Sequence, residues 1–183
     1  MICVCSLAEM SMYARALRPT HLVSLVAPHE LPETPAGIAP ERHLRISVDD
    51  ISEPMAGAIL PEIEHVSALI EFLQTWDGQA PLLIHCVAGI SRSMAAALTA
   101  LVLRADGREM EGARLLRQEA PHAMPNHRIV ALADQLLGRQ GRLIAARDAM
   151  GPARLMVTGP LVTLPPLNDT PVKEAPPGAR ESV

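Results

Sequence analysis

Apolar and polar positions alternate along the chain in a pattern that predicts strands and helices in turn. Residues Ile2 to Ser6 form a short apolar run, which predicts a strand. Ser6-Leu7-Ala8-Glu9 then makes a capping-box pattern ahead of the helix-prone stretch MSMYARAL, which Pro19 stops. His21 to Val26 is β-rich and runs into APHELPETPAGIAP, where the density of Pro and Gly predicts a loop. His43 to Val48 alternates with period two, so a strand should end at Asp49-Asp50 and leave a pair of carboxylates at its tip.

Pro61 suits a first helical position, and Ile63, Val66, Ile70 and Leu73 recur at helical spacing as far as Trp76, with Asp77-Gly78 closing the helix. Pro81 to His85 is a continuous apolar strand of the kind buried in parallel sheets. A small-residue turn separates it from an Ala/Leu-rich helix expected over Met94 to Arg104. Two more helical patterns cover Glu109 to Glu119 and Asn126 to Leu137, with Asn126 as N-cap and Gly138 as stop. The reading is an α/β domain over residues 1–150, a short, mostly parallel central sheet flanked by helices. From Gly151 onward, prolines at 152, 160, 165, 166, 171, 176 and 177 break every period, so residues 151–183 read as a tail. Its first part, Leu155 to Leu164, is apolar enough to pack on the domain; its last residues are expected to be mobile.

Composition narrows the function classes. With 183 residues, 49% of them hydrophobic and 20% charged, one packed core is expected and a wholly disordered chain is excluded. Sixteen basic against twenty acidic residues leave a net charge of −4, which argues against nucleic acid as a partner. Aromatic residues are only Tyr13, Phe72 and Trp76, so aliphatic side chains must fill the core. Lys173 is the only lysine, and this preference for Arg points to a GC-rich bacterial genome. Cys3, Cys5 and Cys86 are odd in number and lack framework spacing, which fits a reducing cytoplasm. No secretion signal opens the chain, and no apolar run reaches the ~18 residues of a membrane span, so a soluble protein without membrane partner is expected. His21, His29, His43, His65, His122 and His127 show no metal-ligand spacing, and no metal is expected.

The informative stretch is His85-Cys86-Val87-Ala88-Gly89-Ile90-Ser91-Arg92-Ser93, set between a buried strand and a helix start. A loop wrapping back to a helix N-terminus turns backbone N–H groups inward, and with the positive end of the helix dipole they cradle a phosphate-like dianion. A cysteine at the start of such a cradle is favoured as thiolate, a nucleophile at neutral pH. Arg92 can close the ring with two parallel hydrogen bonds to phosphate oxygens, and Gly89 allows a turn that a Cβ would obstruct.

These residues match His-Cys-x5-Arg-Ser/Thr, and here the chain resembles the cysteine-dependent protein tyrosine phosphatase superfamily, in its small dual-specificity-like branch, over roughly Ile2 to Arg142. The resemblance implies hydrolysis of a phosphate monoester, with phosphotyrosine and also phosphoserine or phosphothreonine in proteins as substrates, and no cofactor. It implies that Cys86 attacks phosphorus, that the amides of Val87 to Arg92 and the Arg92 side chain hold the transferring group, that His85 orients the loop, and that Ser93 hydrogen-bonds the departing thiolate. The family's general acid lies in a pattern close to Ile-x-Val-x-Asp. That maps onto Ile46-Ser47-Val48-Asp49-Asp50 and selects Asp50, 36 residues before the cysteine, with Asp49 as the competing choice. The alternatives are a rhodanese or Cdc25-like anion-loop enzyme, and a catalytically silent phosphoprotein-binding module.

Overall fold

The computed structural model describes residues 1–167; the end of the tail, expected to be mobile, and Lys173 lie outside them. Five strands form one sheet: β1 (Ile2–Ser6), β2 (His21–Val26), β3 (His43–Ser47), β4 (Leu82–Cys86) and β5 (Val162–Leu164). Their spatial order is β3-β2-β4-β1-β5. The first four are parallel, and β5 runs antiparallel to β1 with Val4 opposite Val162. Both faces of the central strands are covered, so their side chains alternate between two apolar clusters. Ile2, Val4, Val23, Leu25, Leu82 and Ile84 face the larger one. Cys3, Cys5, Leu22 and Leu83 face the smaller one, against Met10 and Ala14 of helix α1 (Leu7–Leu17).

The larger cluster lies under five helices: α2 (Ile63–Thr75), α3 (Arg92–Val102), α4 (Glu109–Glu119), α5 (His127–Leu136) and α6 (Arg142–Asp148). Helix α3 is the most deeply placed; ten of its eleven residues are buried, and its run of alanines lets neighbouring elements approach closely. At its far end Arg139 donates to the Val102 carbonyl at 3.1 Å, completing a helix C-terminus with a cation. The same guanidinium meets Asp106 and, at 3.5 Å, the buried Glu109. Trp76 caps α2 at the amino end of the sheet, 7% exposed, with its indole N–H on the Ala80 carbonyl at 2.8 Å. Among the described residues no helix is long and apolar enough to cross a membrane.

Several local expectations need correction. Ser6 does precede α1, but its hydroxyl donates to the Glu9 carboxylate at 2.9 Å and makes no bond to the helix backbone. Pro61 stands two residues before α2, outside the N-cap Glu62, which is paired reciprocally with His65. Helix α3 begins at Arg92, two residues before the expected Met94, which puts Arg92 and Ser93 in its first turn. Helix α6 has only seven residues, too short a periodic signal to stand out. The sheet also extends past residue 150: β5 lies in the proline-broken segment, with Pro160 and Pro165 beyond its ends, where a missing N–H costs no ladder bond.

Candidate active site

The loop Val87 to Ser91 joins the carboxyl end of β4, the middle strand, to the amino end of α3. Four of its five carbonyls accept from residues outside the loop. Val87 O accepts from Leu7 N at 3.1 Å, Ala88 O from Gly159 N at 2.9 Å, Ile90 O from Met124 N at 2.9 Å, and Ser91 O from Asn126 N at 3.3 Å. A trans peptide points its N–H opposite to its C=O, so these four bonds aim the amides of Ala88, Gly89, Ser91 and Arg92 to the other side, into the loop. The amide of Gly89 shows the result directly by donating to Cys86 Sγ at 3.3 Å. Gly89 has φ +71°, and a Cβ there would stand 2.9 Å from the backbone of Cys5, so only glycine can turn this close to β1.

Cys86 is the last residue of β4 and is buried at the floor of the loop. Its sulfur lies 3.1 Å from Ser93 Oγ. In β1, burial, and after it the nearby Glu9 carboxylate, pushes the Cys5 thiol up to about 12, and burial also raises Cys3. Arg92 is 5% exposed. One of its terminal nitrogens donates to Val48 O at 2.7 Å, and its Nε lies 3.8 Å from an Asp50 oxygen.

The two carboxylates at the tip of β3 separate cleanly. Asp49 turns away: it accepts from Ile59 N at 2.7 Å while its own N–H donates to Ile59 O, closing the base of the loop that follows. Asp50 faces the Val87 to Ser91 loop and accepts from Ser91 Oγ at 2.6 Å and Asn126 Nδ2 at 2.9 Å. Ser91, the N-cap of α3, therefore spends its hydroxyl on Asp50 rather than on the helix amides. Asn126 meanwhile caps α5 through Oδ1, accepting from Ile129 N, as its sequence position suggested; its second bond, to Asp50, was not legible there.

Behind the cysteine runs a buried chain of hydrogen bonds: His85 Nε2 to Ser24 Oγ at 2.6 Å, Ser24 Oγ to His43 Nε2 at 2.8 Å, and His43 Nδ1 to Thr34 Oγ1 at 2.9 Å. One proton assignment satisfies every atom. Thr34 donates to His43, His43 to Ser24, Ser24 to His85, and His85 Nδ1–H faces the Cys86 carbonyl at 3.4 Å. Burial is the leading cause that lowers both imidazoles to about 4, so both rings are neutral at pH 7, as this pattern requires. Ser24 and Thr34 escaped sequence reading because nothing in one sequence marks a serine or threonine that will face a histidine.

The open side of the site is a cleft of about 400 Å³, lined by Asp50, Ser52, Ala88, Ile90, Met124 and Asn126, with His127 and Arg147 at its edge. Arg128 donates to the Pro61 carbonyl and Glu62, and among the described residues Arg147, on α6, lines the cleft. Its Nε is held by Pro125 O at 3.0 Å.

No protein-family model matches the sequence, and no curated protein matches it. Solved structures do. Human DUSP28 aligns with a TM-score of 0.55 at 18% identity over 81% of this chain and 94% of its own. DUSP15 gives 0.55 at 20% over 81% and 89%, and PTPMT1 in complex with PI(5)P gives 0.59 at 15% over 81% and 94%. At these identities the likeness establishes the fold, which is that of the dual-specificity phosphatases.

The buried imidazole pair makes the protein acid-sensitive. An unfolded histidine takes up its proton near pH 6.5, whereas these two resist until about 4. Between those values the unfolded chain binds more protons, so stability is full above pH 6.5 and falls as pH drops toward 4, by up to roughly 1.4 kcal/mol per pH unit for each ring. Urea midpoints measured across that range should decline steadily, and His43→Gln should flatten the decline; equal slopes for both proteins would exclude the pair as its cause.

Proposed function

We propose that this protein hydrolyses phosphate monoesters, with phosphotyrosine in proteins as its substrate, through a cysteinyl-phosphate intermediate. The observation that carries this reading is the placement of Cys86 Sγ within hydrogen-bond distance of both Gly89 N–H and Ser93 Oγ, while Asp50 is held across the loop by Ser91 and Asn126. The phosphatase folds of DUSP28 and DUSP15 support it.

In this mechanism the phosphate enters the cradle of Val87 to Arg92 amides, with the Arg92 guanidinium as counter-charge. The Cys86 thiolate forms a bond to phosphorus as the ester P–O bond breaks, and the Asp50 carboxyl gives its proton to the leaving oxygen. The Asp50 carboxylate then takes a proton from water, the water oxygen attacks phosphorus, and the P–S bond breaks with the electron pair returning to sulfur. Ser93 Oγ–H donates to that thiolate, which makes it a better leaving group. His85 acts one step removed, orienting the strand end through the Cys86 carbonyl. A rhodanese or Cdc25-like enzyme and a silent binding module are both less well served by this arrangement, since neither reading gives Asp50 and Ser93 these roles.

The site provides for one phosphate. Val87 to Ser91 contain no cation, and Ile90, Ala88 and Met124 form an apolar wall suited to an aryl body. The Arg147 edge and the PI(5)P held by PTPMT1 give reason to test phosphoinositides beside peptides.

Cys86→Ser should abolish turnover of para-nitrophenyl phosphate while binding of inorganic phosphate persists; loss of turnover together with binding would leave the nucleophile unassigned, and retained turnover would remove the mechanism. Asp50→Asn should slow phosphate esters with poor leaving groups by roughly 10²–10⁴ and those with good ones far less. Asp49→Asn should leave both within a few-fold of wild type, and the reverse ranking would transfer the acid role to Asp49. Phosphotyrosine peptides should be hydrolysed with higher kcat/KM than phosphoinositides; the opposite order would overturn the substrate assignment.

A further inference from the structure

Gly159 lies beyond the expected domain boundary and far in sequence from every residue of the loop, yet it touches the loop at the peptide that serves the nucleophile. Its N–H donates to Ala88 O at 2.9 Å. The Ala88–Gly89 peptide is a rigid trans plane, so holding its oxygen on one side fixes its N–H on the other, and that N–H is the one bonded to Cys86 Sγ at 3.3 Å. One planar group thus connects the C-terminal segment to the reacting sulfur. We infer that Gly159 is a positioning residue for the proposed reaction, acting through the Ala88–Gly89 peptide to keep an amide hydrogen on the Cys86 sulfur.

Three further features bear on this. Gly159 is anchored from its C-terminal side: Leu161 packs into the α1-side cluster, and Val162 pairs with Val4, so β1 and β5 set where the Gly159 amide stands. The neighbouring turn is anchored from the other side, where Arg154 N donates to Pro121 O at 2.8 Å. The position also tolerates no side chain. A Cβ on Gly159 would stand 2.5 Å from His122 Nε2, 2.8 Å from His122 Cδ2 and 3.1 Å from Gly89 O. His122 is itself 3% exposed and wedged between this glycine and the domain, so it cannot swing into solvent without opening the packing. An added methyl must therefore displace the Gly159 backbone from Ala88 or push the imidazole aside. Gly159 has its importance because of the approach it permits rather than because of an unusual backbone angle.

The inference rests on the proposed phosphatase reading for its kinetics, and iodoacetate alkylation of Cys86 supplies a readout that does not. Gly159→Ala should lower kcat for para-nitrophenyl phosphate by roughly 10- to 100-fold, the scale of a displaced transition-state donor, and should slow Cys86 alkylation at neutral pH. The melting temperature separates this from general loosening of the fold, because a positioning defect persists well below it. Deleting the ring that the methyl strikes should restore the approach: His122→Ala/Gly159→Ala should recover most of the lost kcat and alkylation rate, with His122→Ala alone close to wild type. A Gly159→Ala protein within two-fold of wild type in both measurements would overturn the inference, and so would a folded double variant no faster than the single one. If the wild-type protein hydrolyses no phosphate monoester, the proposed function falls, and the alkylation rates of the four proteins still decide the role of Gly159.

Discussion

A peptide group cannot turn its N–H and its C=O the same way, and the candidate site is organised around that constraint. For a loop of five residues to present its amides to one centre, its carbonyls must face outward, into protein rather than water, and each then needs a donor. Three segments widely separated in sequence supply four of them: the first residue of α1, the α4–α5 connection with Met124 and the α5 N-cap Asn126, and the stretch before β5. The helices and the edge strand therefore do more than cover the sheet. Their ends are the donors without which the loop would relax by bonding to itself or to solvent.

The same frame explains how charge is arranged. Arg92 is buried in the first turn of α3, at the positive end of a helix, where a cation is ordinarily unfavourable. Its placement is offset by the Val48 carbonyl and the nearby Asp50 carboxylate, both from the end of β3. Behind the sulfur, where another cation would crowd Arg92, the two imidazoles are kept neutral by burial and threaded together by Ser24. Positive charge is thus confined to the side that a phosphate would approach.

Much of the architecture was legible because its signals are local. β-rich composition placed β2, alternation placed β3, continuous apolar runs placed β1 and β4, and helical spacing placed α2, α4 and α5. The cysteine loop was legible because His85 to Ser93 are contiguous. What escaped was whatever depends on distant pairing. Val162 to Leu164 carry no strand signal strong enough to outweigh the surrounding prolines; the β1 edge, which offers unpaired backbone groups, makes them a strand. Asn126 announced its cap role to α5 three residues away, but not its bond to Asp50, 76 positions distant. Ser24, Thr34 and Gly159 carry no sequence signature at all, since their parts are set by which strand lies beside which. Between Asp49 and Asp50 the family resemblance favoured the second, and the two differ in geometry: one closes its own loop, the other faces Arg92.

Trp76, the only tryptophan, sits where α2 turns toward β4, buried and hydrogen-bonded at the amino end of the sheet. The Val87 to Ser91 loop leaves the other end of the same strand, five residues on, or about 16 Å at the usual rise per residue. The protein therefore carries a single indole fluorophore packed against the core yet remote from its cleft. Its emission follows the integrity of the α2–β4 corner, and with it the cooperative unfolding of the sheet, while events at Cys86 pass beyond its view.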